Sequence, residues 1–278
     1  MDRKKYKTLL WAIFAVVLCL SALRCILIFK YLDTTGDYTD YSRLALTDNM
    51  FTNTFPYVVV ALVVIFAAGV FIIKKNSVNS LVYDDTPTIF FSTLTGFMTV
   101  TTAGLLVFYH FSGASAMTTA EWAVVVLLVL SCCFFIYAPS KKAKTQSSLF
   151  SAMAAMPIIM SIARLLIYFF RINNRPNSDM SLFHLFSLAA IMLFFVYEGK
   201  FSVSSGSARL YVFFGLCSVL LTSVYALPEL ILSSFWIVAW QSDTVFSALE
   251  LLMSLFIAAR LLSLHVDEQR ELPEKVKG

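Results

Sequence analysis

Residues 8–29 read TLLWAIFAVVLCLSALRCILIF, an unbroken apolar run with one charge, Arg24. As a helix rising 1.5 Å per residue it is about 33 Å long, enough to cross a hydrocarbon layer of about 30 Å. The run follows Met1-Asp-Arg-Lys-Lys-Tyr-Lys7, a basic start like that of a secretory signal. It is longer than the roughly 7–15 apolar residues of such a signal, and no small-residue cleavage pattern closes it. It therefore reads as a retained first transmembrane helix.

Seven similar runs follow. The predicted spans are 8–30, 55–73, 88–110, 121–138, 148–170, 181–198, 209–233 and 244–264. Pro228 and Glu229 interrupt the seventh, which a membrane helix tolerates because neighbouring groups satisfy the freed carbonyl. The fold class is thus an all-α integral membrane protein with eight transmembrane helices. The composition agrees: 59% of the 278 residues are hydrophobic and 14% are charged, against roughly 25% charged in a soluble domain. A soluble fold of this size could not bury that apolar excess. The partner implied is the lipid bilayer.

The net charge of +4 lies in short segments between the apolar runs. It reads as topology, not as a nucleic-acid-binding face. Fourteen Lys and Arg fall on one set of segments: Arg3, Lys4, Lys5, Lys7; Lys74, Lys75; Lys141, Lys142, Lys144; Lys200, Arg209; Arg270, Lys275, Lys277. The opposite segments hold four, Lys30, Arg43, Arg171 and Arg175. This asymmetry predicts a plasma-membrane protein with both termini cytoplasmic. Trp122, Trp236 and Trp240 then fall near the outer interface and Trp11 near the inner one.

The chain also reads as a duplication of two parallel four-helix repeats, 1–138 and 139–264, followed by a cytoplasmic tail, 265–278. Ser21-Ala-Leu-Arg24 matches Ser161-Ile-Ala-Arg164. Further along, Lys75-Asn-Ser-Val-Asn-Ser80 matches Lys200-Phe-Ser-Val-Ser-Ser205, Phe90-Phe91 matches Phe213-Phe214, and Leu128 and Ser131 match Leu251 and Ser254. The four matches come in order. The offset changes once, which the long outer loop 31–54 of the first half explains. Two halves of four crossings each would be related by an axis along the membrane normal.

Ionisable groups at membrane depth are costly and normally face the bundle interior. Arg24, Arg164 and Glu250 each lie six or seven residues from the outer end of their span, hence about 9–10 Å below it. Glu229 and His184 share that outer region. Arg260 lies near the inner end of its span, where its side chain is expected to snorkel to the interface. On the third helix Ser92, Thr95, Thr99 and Thr102 share a face, and on the seventh Ser218, Thr222, Tyr225 and Glu229 do. Thr95, Thr99 and Thr102 correspond to Ser218, Thr222 and Tyr225 in the duplication.

Two readings of these groups stand. They are structural, as ion pairs and hydroxyl contacts that hold helices together, or they line a polar site. The second gives the candidate substrate-binding residues Arg24, Arg164, Glu250, Glu229, Thr99, Thr222 and Tyr225, for a small polar or anionic ligand. His184 and His110 read as ordinary interior or interfacial histidines. The outer loop holds Asp33, Asp37, Asp40 and Asp48 without the glycine pattern of a calcium loop.

No catalytic residues, metal ligands or cofactors are expected. The cysteines Cys19, Cys25, Cys132, Cys133 and Cys217 lie in apolar runs without metal-ligand spacing. Walker, GxGxxG, HExxH, GxSxG and kinase signatures are absent, so the chain reads as a non-enzyme. The function expected is a small-solute permease or transporter membrane subunit, with its site between the two halves. The alternatives are a sensory or accessory membrane protein and, third, a membrane-embedded enzyme acting on lipid. A partner subunit or homo-oligomer is left open.

Overall fold

The computed structural model describes residues 3–31, 46, 49–71, 85–113, 117–139, 147–172, 179–202, 207–235 and 242–264. Among them are eight α-helices: α1 (Arg3–Tyr31), α2 (Met50–Val70), α3 (Thr86–Phe111), α4 (Thr119–Tyr137), α5 (Ser147–Ile172), α6 (Asp179–Ser202), α7 (Ala208–Ser234) and α8 (Ser242–Ser263). Each is long and apolar enough to cross a membrane. The acidic residues of the outer loop, Trp236 and Trp240, and the tail 265–278 lie outside the described residues.

The helix ends follow local chemistry. α2 begins five residues earlier than its apolar run, because Asn49 and Thr52 form a reciprocal capping box ahead of the first apolar turn. Thr118 and Glu121 do the same for α4. α7 continues through Pro228 and Glu229 to Ser234 without a break. Pro228, Glu229 and Leu232 are all buried in packed surroundings, which is the support a proline within a helix requires.

Six helices form a closed circuit of neighbours. α3 packs on α4, α4 on α5, α5 on α6, α6 on α7, α7 on α8, and α8 returns to α3. α1 and α2 lie mainly against α7 and meet each other at few positions. The two halves thus differ in their neighbours: α5 and α6 pack extensively, whereas α1 and α2 do not. The remaining faces of α1 and α2 present apolar side chains such as Leu18, Ile26, Val60 and Val64 to the outside.

Close approaches are set by small residues. A Cβ on Gly96 would lie 3.2 Å from the Cβ of Phe135, so α3 and α4 meet closely there. The hydroxyls of α3 work as packing groups as well. Ser92 donates to the carbonyl of Phe135 on α4 at 2.6 Å, and Thr95 reaches that of Leu252 on α8 at 3.3 Å. Three phenylalanine rings fill the middle of the circuit: Phe135, Phe195 and Phe256, from α4, α6 and α8, have centroids 5.4–6.3 Å apart.

Candidate functional site

The polar groups of α5, α6, α7 and α8 converge at the N-terminal ends of α6 and α8. Helical spacing explains how. Arg164 and Tyr168 are one turn apart on α5, and Tyr225 and Glu229 are one turn apart on α7. Asp243, Ser247 and Glu250 follow one face of α8.

Arg164 is buried, and its Nη2 lies 2.8 Å from Oδ1 of Asp243. Its guanidinium carbon sits 3.7 Å from the ring centroid of Phe246, so cation–π attraction adds to the ion pair. His184 is fully buried, with Nε2 3.0 Å from Oε1 of Glu250. The imidazole is stacked on Tyr225, and Tyr168 lies on it as well, both at 4.1 Å between centroids. Glu229 accepts a hydrogen bond from Ser247 and is also hydrogen-bonded by Tyr225. Among the described residues, Nδ1 of His184 and Oε2 of Glu250 are buried without a hydrogen-bond partner.

Of the expected site residues, Arg164, Tyr225, Glu229 and Glu250 are brought together, within the second half of the chain. Thr222 is buried on α7 one turn before Tyr225. Arg24 stands apart. It is fully buried on α1, with its guanidinium carbon 4.7 Å from the ring of Phe55 and 5.7 Å from that of Phe183, the residue before His184. Thr99 lies elsewhere, donating to the carbonyl of Gly96 at 2.7 Å and hydrogen-bonding Cys132 between α3 and α4.

Asp243, Tyr168, Ser247 and Phe246 join the cluster without having been expected, and His184 is central to it. Spacing was the available signal: Tyr168 is one turn from Arg164, Ser247 and Phe246 are one turn from Glu250, and Asp243 is two turns from it. Arg260 does not snorkel. It is fully buried, and its Nε and Nη2 lie 3.1 and 2.8 Å from one oxygen of Glu198 on α6. A partner on a helix distant in sequence holds it inside.

Arg164 and Asp243 neutralise one another, leaving Glu229, Glu250 and His184. Among the described residues the cluster therefore has more carboxylates than guanidinium groups. Two unneutralised carboxylates at this burial are costly, so the arrangement favours holding a proton or a positively charged group. Among the described residues, no three of His, Cys, Asp and Glu converge closely enough to share a metal ion. Comparison of the chain with known protein families, curated proteins and solved structures finds no match.

Proposed function

We propose that this chain is a multi-pass integral membrane protein of the cell membrane, with both termini cytoplasmic, that acts as a small-solute permease or transporter membrane subunit. Its site is the enclosure among α5, α6, α7 and α8. One observation carries the reading: Arg164, Tyr225, Glu229 and Glu250 meet around a buried imidazole with an excess of acidic groups. The excess shifts the ligand expected from the sequence, a polar or anionic one, towards a small polar solute bearing a positive group.

The test uses the purified full chain in detergent, heated with a panel of small amines, amino acids and carboxylic acids. An amine or amino acid should raise the melting temperature, and Glu250→Gln should remove that shift. A panel without effect, together with stability losses that charge partners rescue, would favour the accessory reading. That alternative has its own support in the direct pairs Arg164–Asp243 and Glu198–Arg260, which are what purely structural groups would form.

The two-repeat organisation belongs to the same proposal. Ser21 and Ser161 are both buried and bond back to the carbonyl four residues earlier, as do Thr95 and Ser218. Each matching arginine lies over phenylalanine rings. Superposing α1–α4 on α5–α8 tests it: the helices should match in sequence order by a rotation of about 180° around the membrane normal, and a match that needs reordered or inverted helices would sink the idea.

A further inference from the structure

α6 and α8 are not packed directly on one another along the circuit, yet their side chains meet at three levels. His184 meets Glu250 at one end, Phe195 stacks on Phe256 at 6.3 Å between centroids, and Glu198 meets Arg260 at the other end. His184 and Glu198 are 14 residues apart, so the two polar ends are separated by about 21 Å along α6. That is most of a hydrocarbon layer of about 30 Å.

We propose that the seam between α6 and α8 is a path for protons, entered at His184 and Glu250 and closed by the layer of Phe135, Phe195 and Phe256 above Glu198 and Arg260. The proposal rests on reading the α5–α8 cluster as a working site. It names the proton as a ligand of that site.

Chemistry at the entrance supports it. His184 has one nitrogen on Glu250 and the other, Nδ1, buried without a partner among the described residues. A proton from the outer water binds at Nδ1 and makes an imidazolium that Glu250 neutralises. The Nε2 proton then passes to the Glu250 carboxylate. A neutral imidazole and a neutral carboxyl remain, with one proton taken up. Release of that proton from Glu250 further along the seam leaves the imidazole as its Nδ1–H tautomer, and water-mediated exchange of that hydrogen for one at Nε2 restores the starting state. The groups around His184 are Tyr225 on α7, stacked on it, Tyr168 on α5, tilted against it, and Glu250 on α8 at its Nε2 edge, with Glu229 hydrogen-bonded to Tyr225. The opposing cation on α5, Arg164, is held by Asp243, and the guanidinium carbon of Arg24 on α1 lies 5.7 Å from the ring of Phe183.

Below the entrance, the hydroxyls of Ser254 and Thr222 are buried without a partner among the described residues. Ser254 is one turn beyond Glu250 and Thr222 one turn before Tyr225. Hydroxyls so placed can take and pass a hydrogen bond to water. The three phenylalanine rings offer no such group, so they are the barrier. Glu198 and Arg260 follow them by one turn, each fully buried.

The experiment places the purified chain in liposomes of phosphatidylcholine and phosphatidylglycerol with a trapped pH-sensitive dye, and steps the outer pH down with the membrane potential clamped. Phe195→Ala and Phe256→Ala should acidify the lumen several-fold faster than the unaltered chain. Adding His184→Gln or Glu250→Gln to either should abolish the gain. Phe66→Ala, at a buried phenylalanine on α2 away from the seam, should match the unaltered chain. If an alanine variant does not reconstitute, Phe195→Leu serves, with a smaller gain expected. Phenylalanine variants as tight as the unaltered chain would overturn the proposal. So would a leak indifferent to His184 and Glu250. Thermal shifts with the solute panel, run on the same preparations, separate the failures: solute stabilisation without a proton leak removes only the path, and a His184-dependent leak without solute stabilisation removes only the permease.

Discussion

His184 lies face to face with Tyr225, their ring centroids 4.1 Å apart and their planes 13° from parallel. Tyr168 covers the imidazole as well, and Glu250 holds its Nε2 edge. Side chains from α5, α7 and α8 thus fix the orientation of a ring carried by α6. The same tyrosine, through its hydroxyl, meets Glu229 one turn further along α7. Tyr225 therefore links the two carboxylates that, among the described residues, have no guanidinium of their own.

Two substitutions divide the roles of Tyr225. Tyr225→Phe keeps the stack and removes one donor from Glu229, which retains Ser247; the expected loss is about 1–3 kcal/mol, that of a buried acceptor losing a partner. Tyr225→Leu also removes the ring face from His184 and should cost more. Thermal unfolding in detergent ranks them, and equal losses would show that the stack contributes nothing.

Arg164 and Asp243 should behave as a coupled pair. Arg164→Ala strands Asp243 beside Glu229 and Glu250, and breaking a buried pair costs about 3–5 kcal/mol. Asp243→Asn in the same chain should recover part of it. Asp243 is at the edge of the cluster, with its side chain 16% exposed, so water recovers some of the loss in either single variant. Arg164→Ala paired with Glu250→Gln should show weaker rescue, because Glu250 bonds to His184. Stronger rescue by Glu250→Gln would reassign the partner.

Gly96 and Gly215 should differ as alanines. On Gly96 the new methyl meets the Cβ of Phe135 at 3.2 Å, an atom fixed to the backbone of α4. Helix α3 must then move away, at about 1–3 kcal/mol, as for overpacking. On Gly215 it meets the Cδ atoms of Leu261 at 3.0 Å. Those atoms belong to the outer part of a side chain rather than to a Cβ fixed to a helix backbone, so Gly215→Ala should lose less. Melting temperatures of the two variants decide it.

How far the sequence disclosed this arrangement depends on distance along the chain. Helix positions were legible because apolar length and turn-scale spacing are local: α3 begins two residues before its predicted span, and α7 passes Pro228 as expected. The site was half legible. Tyr225 and Glu229 share a face of one helix, so spacing exposed them. His184 looked ordinary because its meaning comes from Tyr168, Tyr225 and Glu250 on three other helices. Arg260 misled for the same reason: its place near a helix end suggests snorkelling, and only the position of Glu198 on α6 reverses that. Spacing could not show that α1 and α2 lie against α7, since apolar helices carry little information about which neighbour they choose.

The distribution of basic residues makes a topological prediction. Reporter fusions after Lys144 and Gly206 should report the cytoplasm, and fusions after Ala45 and Pro176 the outside. An outside signal at Gly206 would remove a crossing before α7 and reverse the ends at which the two buried clusters lie.

The most decisive stability test concerns Glu198 and Arg260. Both are fully buried, and two guanidinium nitrogens converge on one carboxylate oxygen while Nη1 lies 3.2 Å from Oγ of Ser263. Removing one partner leaves the other charged in a low-dielectric interior. Arg260→Met should therefore destabilise the chain by about 3–5 kcal/mol. Glu198→Gln should do less harm for two reasons. The amide keeps an oxygen that can accept from the guanidinium, and Arg260, in the last turns of α8, has a long side chain that can extend towards the helix end once released. The double change Arg260→Met with Glu198→Leu removes both charges and fills the space with apolar volume, so it should lie near the unaltered chain. A thermal-unfolding cycle on the four proteins gives the coupling. Additive losses would mean that the two groups do not depend on each other, and a larger loss for Glu198→Gln than for Arg260→Met would mean that Arg260 cannot leave its buried position.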